Sequence, residues 1–161
     1  MTHVLGLHRP VAPWDTKWGN AGIAGGVFSR RLLTLWDNLH VEPEFGLAKR
    51  FGDMEAAEVW VAIGFRWSAF PWNKFVYTTV AFIEGANLAT RIEREERREN
   101  TPSHTGSMLL NYFSPEITFA LPDVSEYELV VRYHHRSGAF GLINDVQGGA
   151  QAIAVGFRLH F

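Results

Sequence analysis

The sequence predicts an all-β protein that forms a single domain over residues 1–161: an eight-stranded antiparallel up-and-down transmembrane β-barrel whose first strand is truncated at the N-terminus. Three features of the chain predict this fold. Apolar and polar residues alternate in successive segments, charged residues occupy the polar face of those segments, and long and tight connections alternate between them.

The final segment, residues 151–161, alternates most regularly and ends on an aromatic residue, which is typical of the last strand of outer-membrane barrels. Small or polar residues occupy its even positions. Apolar residues occupy its odd positions: Ile153, Val155, Phe157, Leu159 and Phe161. A period of two places these apolar residues on one face of the strand. That face would point into the core of a soluble sandwich, or outward to lipid in a membrane barrel.

The same alternation recurs upstream. Apolar residues take most of the odd positions of residues 39–51, 59–67, 109–121 and 126–137. Residues 19–30 are predicted to form a Gly-rich strand with Ile23 and Val27 on the apolar face. Residues 76–88 form a strand whose phase stays open, and residues 2–7 supply the short first strand that makes eight.

Charged residues lie mid-strand on the even faces: Glu42, Glu44, Glu58, Arg66, Glu116, Glu128, Arg132, Arg136 and Arg158. They would face water in a sandwich and fill the lumen of a small barrel. Alternation alone therefore leaves both folds open.

Connection lengths favour the barrel. Counted back from the C-terminus, residues 138–149 form a long link, 122–123 a tight one, 89–105 a long one and 71–74 a tight one. Extracellular loops alternate with periplasmic turns in up-and-down barrels, so the charged segment 89–105 is predicted to be an extracellular loop. Aromatic residues fall at predicted strand ends, where interfacial girdles lie. They are Trp14, Trp18, Trp36, Trp67, Phe70, Trp72 and Phe75.

Composition excludes several classes of function. The formal net charge of −2 provides no basic field for nucleic acid. The absence of cysteine excludes a disulfide framework and a thiolate site. The histidine spacings predict no metal site, and no other cofactor is expected. Because no secretory signal precedes the first strand, we expect a processed, trimmed or misassigned N-terminus.

Residues 133–137 hold the best candidate for chemistry. His135 and Ser137 are two residues apart and share a strand face, which in this phase is the outer, lipid-facing one. Counting up the strand from its tight turn places the pair at the extracellular end. A histidine hydrogen-bonded to a serine supplies a general base for a nucleophilic hydroxyl, as acyl transfer requires. Strands also become polar where they leave a bilayer, so a structural role stays open.

Three stretches of the chain resemble the lipid A 3-O-deacylase family. Residues 133–161 (YHHRSGAFGLINDVQGGAQAIAVGFRLHF) carry the most specific likeness, and residues 29–37 and 66–73 resemble divergent members. The resemblance implies an eight-stranded outer-membrane barrel that hydrolyses the ester-linked acyl chain at the 3-position of lipid A. It also implies a site on the outer wall, with His135 as base, Ser137 as nucleophile and a carboxylate as third member.

The chain departs from the family pattern beside the serine. Gly138 stands where the family has an asparagine that contributes to the oxyanion hole, and its backbone N–H is the substitute donor that we expect. Gly148 and Gly149 occupy the stretch where a glutamate is expected. Asp145 is the nearest substitute carboxylate, and Gln151 is the nearest outward-facing polar residue on the next strand.

These features together predict an outer-membrane esterase that removes an ester-linked acyl chain from lipid A by a Ser/His mechanism. Its partners would be lipopolysaccharide and the outer membrane, with a homodimer left open. The alternative is a catalytically silent outer-membrane barrel with a structural or lipopolysaccharide-binding role. A third interpretation, a soluble antiparallel sandwich that acts as a binding module, requires the apolar odd-numbered face to be buried.

Overall fold

The computed structural model describes residues 2–6, 21–52, 55–92, 106–139, 141–144, 146 and 148–160, with the backbone alone for 2–6 and 148. Most of these residues belong to nine strands: β1 (Thr2–Gly6), β2 (Ala21–Ser29), β3 (Leu33–Leu35), β4 (Leu39–Gly52), β5 (Ala57–Trp67), β6 (Tyr77–Ala89), β7 (Leu109–Ala120), β8 (Tyr127–Ser137) and β9 (Gly148–Leu159). A short 3₁₀ helix, Pro122–Val124, follows β7. Within the described ranges, no helix has the length and hydropathy of a membrane span.

The strands form one antiparallel sheet that curls into a nearly closed barrel. From β4 to β9, each strand pairs with the next along the chain. β2 and β3 both pair with β4, one after the other along its length, and together fill a single strand position. β1 pairs with β9 at the far end of the hydrogen-bonded path and lies near β2. The predicted all-β, eight-stranded antiparallel barrel with a short first strand is confirmed.

The apolar face of the sheet points outward. In β9 the exposed fractions of Val155, Phe157 and Leu159 are 68%, 86% and 56%. β5 alternates over its whole length, with odd residues exposed and even residues buried. A sandwich would bury the same residues against a second sheet, so the soluble sandwich is wrong.

The even-numbered charges meet inside the barrel, as predicted for a small lumen. Five arginines and five glutamates line it: Arg50, Arg66, Arg132, Arg136, Arg158, Glu42, Glu44, Glu58, Glu116 and Glu128. Glu116 accepts hydrogen bonds from three of the arginines at donor–acceptor distances of 2.6–2.8 Å. An eight-stranded lumen is filled by side chains, and here opposite charges fill much of it in pairs.

Trp60 occupies the lumen between the charged groups. Its indole N–H donates to Glu44 at 2.8 Å. Its ring packs against Tyr112 and His134 at centroid distances of 5.2 and 5.0 Å. Gly46 on β4 leaves the space for this ring, because a Cβ there would lie 2.1 Å from the indole carbons. The lumen is therefore a packed core.

In β2 and β6 the odd-numbered residues lie on the lumen side, whereas in β4, β5, β7, β8 and β9 they lie on the outer side. Cross-strand partners lie on the same side of a sheet, and Ile23 of β2 pairs with the lumen residue Arg50 and packs against the buried cluster. Val27 likewise pairs with Gly46. The prediction that both share the outer apolar face is wrong, because pairing with β4 fixes the side. In β6, whose phase the sequence left open, odd residues such as Ile83 face the lumen.

The two ends of the barrel differ in their connections. Residues 7–20, 53–56, 90–108 and 138–147 link strands at one end, the loop end, and residues 36–38, 68–76 and 121–126 link them at the other, the turn end. Trp36 and Asp37 both have positive φ, 49° and 63°, as a tight hairpin turn requires. Exposed aromatic residues collect at the turn end: Trp36, Trp67, Trp72 and Phe75. Trp14, Trp18 and most of the predicted loop 89–105 lie outside the described residues.

We expect Glu116→Gln to destabilise the barrel strongly. The substitution leaves three arginines without their shared carboxylate, and loss of one partner of a buried ion pair costs about 3–5 kcal/mol. Glu84→Gln is the matched control, because Glu84 is exposed on the outer face of β6 and makes no ion pair or hydrogen bond among the described residues. Urea unfolding of the refolded protein measures both, and equal midpoints for the two variants would contradict the role assigned to Glu116.

Candidate functional site on the outer wall

His135 and Ser137 lie on the outer side of β8 at the loop end of the barrel. Ser137 is the last residue of the strand, and His135 precedes it by two. Both therefore lie on the outer face, as the alternation predicts, and at the end where the long links lie. Ser137 is only 5% exposed, whereas Leu129 on the same face nearer the turn end is 39% exposed. The outer wall thus changes from an open apolar surface to a buried polar one along a single strand.

Gly149 of β9 lies directly opposite Ser137. A Cβ at Gly149 would be 2.8 Å from the Cβ of Ser137 and 3.3 Å from Cε1 of His135. Ser137 and the imidazole of His135 therefore both lie next to the space that the missing side chain of Gly149 leaves empty. Ser137 Oγ accepts a hydrogen bond from the backbone N–H of Ala139 at 3.4 Å. Within the described part of the chain no hydrogen bond joins His135 to Ser137, so the contact expected between them is not formed.

Aromatic rings flank the imidazole of His135. Tyr133 stacks on it with ring centroids 5.9 Å apart and an interplanar angle of 11°. Phe113 on β7 is its cross-strand partner. The Nδ1 atom of His135 is buried and finds no hydrogen-bond partner among the described residues. An unpaired ring nitrogen close to a serine meets a requirement of a general base.

Two side-chain amides lie on the strands that flank β8. Gln151 on β9 pairs with His135, is 3% exposed and lies within hydrogen-bonding reach of the imidazole. Asn111 on β7 pairs with Ser137 and is half-buried. Asn111 was not predicted as part of the site, and Gln151 was predicted only as the nearest outward-facing polar residue on the next strand. The places of both amides beside the pair depend on the register of three strands. β9 also begins at Gly148, earlier than the predicted segment 151–161.

The loop after β8 holds the other two predicted members. Gly138 is buried, and a Cβ there would be 1.8 Å from the carbonyl oxygen of Val146. Its own carbonyl accepts the backbone N–H of Ile143 at 2.9 Å. These contacts explain why only glycine fits directly after Ser137. Asp145 lies outside the described residues, so its role stays a prediction.

A serine–histidine contact is formed at the turn end instead. His40 Nε2 lies 3.2 Å from Ser68 Oγ, and its Nδ1 lies 3.0 Å from Thr34 Oγ1. Ser68 Oγ donates to the carbonyl of Asn38 at 3.3 Å, so its proton is directed away from the imidazole. This cluster ties together the strand ends beside the tight turn. No spacing in the sequence indicated it.

No cluster of three or more histidine, aspartate or glutamate side chains in the described ranges is arranged to hold a metal ion. No protein-family model, curated protein or solved structure matches the chain. Function is therefore inferred from the geometry of the outer wall together with the sequence resemblance.

Gly149→Ala is expected to destabilise the protein by about 1–3 kcal/mol, because the added methyl group overpacks the space between His135 and Ser137. Gly156→Ala on the same strand is the control. A Cβ at Gly156 would meet nothing within 4 Å, so that variant should be unchanged or about 0.4–1 kcal/mol more stable. Urea unfolding midpoints compare the two, and a fully stable Gly149→Ala protein would contradict the close packing around the pair.

Proposed function

We propose that the protein spans the outer membrane and hydrolyses an ester-linked acyl chain of lipid A at a site on its outer wall. Several features support the membrane. β5 has 11 residues, within the about 9–11 that a tilted spanning strand needs. Its outer face is apolar throughout, and soluble monomers rarely expose contiguous apolar patches larger than a few hundred Å². The exposed aromatic residues at the turn end match an interfacial girdle.

The proposed ester hydrolysis is supported chiefly by the position of His135 and Ser137 on the outer wall, at the loop end. The packed lumen has no room for an acyl chain. A lipid that lies against the barrel could approach this pair sideways once the chain beside the buried Ser137 moves. With the turn end at the periplasmic side, the loop end meets the outer leaflet, which is where lipopolysaccharide would lie.

In the proposed reaction, Ser137 Oγ attacks the carbonyl carbon of the acyl ester while His135 takes the hydroxyl proton. The bond from that carbon to the sugar oxygen then breaks, and His135 returns the proton to the leaving oxygen. A water molecule, deprotonated by His135, hydrolyses the acyl-enzyme and releases the fatty acid and the serine hydroxyl. The backbone N–H of Gly138 is a proposed donor to the oxyanion, and Asp145 a proposed third member.

Lipid A as substrate, and its 3-position as the site of cleavage, rest on the resemblance of residues 133–161 to the deacylase family. The geometry of the wall supports a lipid ester more broadly. Phe113, Tyr133 and the exposed apolar residues nearer the turn end offer an acyl chain a continuous apolar surface beside the serine.

A catalytically silent barrel with a structural or lipopolysaccharide-binding role is the second candidate. The neighbourhood of His135 favours it: the described residues around the imidazole include no carboxylate, and none of their hydrogen bonds links it to Ser137. The two candidates share the fold and the membrane, and differ only in turnover.

We expect Ser137→Ala to abolish release of fatty acid from lipid A while the barrel still folds, because the substitution removes the nucleophile and little packing. Mass spectrometry of lipid A before and after incubation with refolded protein measures the reaction. Ser125→Ala, at an exposed turn of the opposite end, is the control and should keep full activity. Undiminished hydrolysis by Ser137→Ala would exclude the mechanism, and an inactive wild-type protein would favour the silent barrel.

A further inference from the structure

Each member of the proposed pair faces a side-chain amide on a neighbouring strand. Gln151 of β9 lies opposite His135, and Asn111 of β7 lies opposite Ser137. We propose that these two amides complete the site: Gln151 is a positioning residue that orients the imidazole, and Asn111 donates a hydrogen bond to the oxyanion that forms at the attacked carbonyl. This inference rests on the proposed ester hydrolysis and names the groups that assist it.

Gln151 is a polar side chain, 3% exposed, on the otherwise apolar outer face of β9. Burial of an amide without a hydrogen bond costs free energy, so such groups are found with partners. The imidazole of His135 is the partner within reach. In the proposed arrangement the Gln151 carbonyl accepts a hydrogen bond from Nε2–H of His135. The Nδ1 atom, which has no partner among the described residues, is then left to receive the proton of Ser137.

A neutral amide suits this position better than a carboxylate. A charged group beside lipid is costly unless it is paired, and the lumen arginines lie on the other side of the wall. Gly149, directly opposite Ser137, contributes no side chain of its own to the surroundings of the pair. Gln151 fixes the imidazole without adding a charge.

Asn111 is the polar exception among the outward residues of β7, which otherwise include Leu109, Phe113 and Ile117. Directly opposed residues of an antiparallel pair have Cβ atoms about 4.5–5.5 Å apart. An oxyanion donor must come to about 2.7–3.1 Å from the new O⁻, and the attacked carbon is bonded to Ser137 Oγ. An asparagine side chain spans this gap. It donates a hydrogen bond and transfers no proton, so the proton of Ser137 still passes to His135.

The test of Gln151 compares two substitutions of similar size. Gln151→Leu should lower kcat about tenfold or more. This loss is part of the ~10²–10⁴-fold rate enhancement that a positioned general base provides. Gln151→Glu should recover much of that loss. Its carboxylate favours the imidazolium, so the acid limb of the pH–rate profile should move to higher pH. If Gln151 only fills space, Gln151→Leu should keep full activity and Gln151→Glu should keep the wild-type pH–rate profile.

The test of Asn111 separates binding from turnover. Asn111→Leu should lower kcat about 10²–10³-fold with little change in KM, because the lost hydrogen bond forms only with the oxyanion. Asn111→Asp should not rescue it, since a carboxylate repels the O⁻. Ile117→Ala, on the same face of β7 but nearer the turn end, is the control and should keep wild-type kcat.

All variants are measured on refolded barrels that show the shift in gel mobility of a folded outer-membrane protein on heating. Wild-type activity together with unchanged kcat for Gln151→Leu and Asn111→Leu would overturn this inference and leave the proposed function standing. An inactive wild-type protein would overturn both. The expected result is an active wild type in which each substitution slows turnover and only Gln151→Glu shifts the pH profile.

Discussion

Mutual neutralisation of charges inside a narrow barrel is the interaction on which the rest of this structure depends. Five arginines and five glutamates share a lumen that an eight-stranded sheet leaves only wide enough for side chains. Glu116 alone binds three of the arginines. β4, β5, β7, β8 and β9 can turn their apolar faces outward because the charges on their other faces find partners within. Trp60 over Gly46 takes much of the space that these charges leave.

The side chains of the described residues fill the lumen, so the proposed chemistry on a lipid substrate is placed on the outside of the barrel. The outer wall is apolar over most of its height and becomes polar near the loop end, where three neighbouring strands contribute Asn111, Ser137, His135 and Gln151. Polar groups at such a position need a partner or a function. The pairing of β7, β8 and β9 brings these four residues together at one position of the wall.

Much of the fold and half of the site could be predicted from alternation alone. In β5 and β9 the period of two gives the outward face residue by residue, and two-residue spacing puts His135 and Ser137 on one side of β8. β2 and β6 could not be assigned in this way. Gly and Ala residues leave β2 without a strong pattern, so pairing of Ile23 with Arg50 decides its side. Asn111 was likewise hidden, and Gln151 was known only as an outward-facing polar residue of the last strand, because the spacing along one strand does not give the register between strands.

The burial of Ser137 constrains how an ester could reach it. A reacting carbonyl carbon must come within about 3–3.5 Å of the nucleophile, yet this serine is 5% exposed and its Oγ accepts the N–H of Ala139. The first residues of the loop are held by the contact of Gly138 with Val146 and by its hydrogen bond from Ile143. If the protein hydrolyses a lipid ester as proposed, the chain next to Ser137 must move before the ester reaches the Oγ, and the Ala139 N–H must release it. The same movement would have to bring Ser137 within hydrogen-bonding distance of His135.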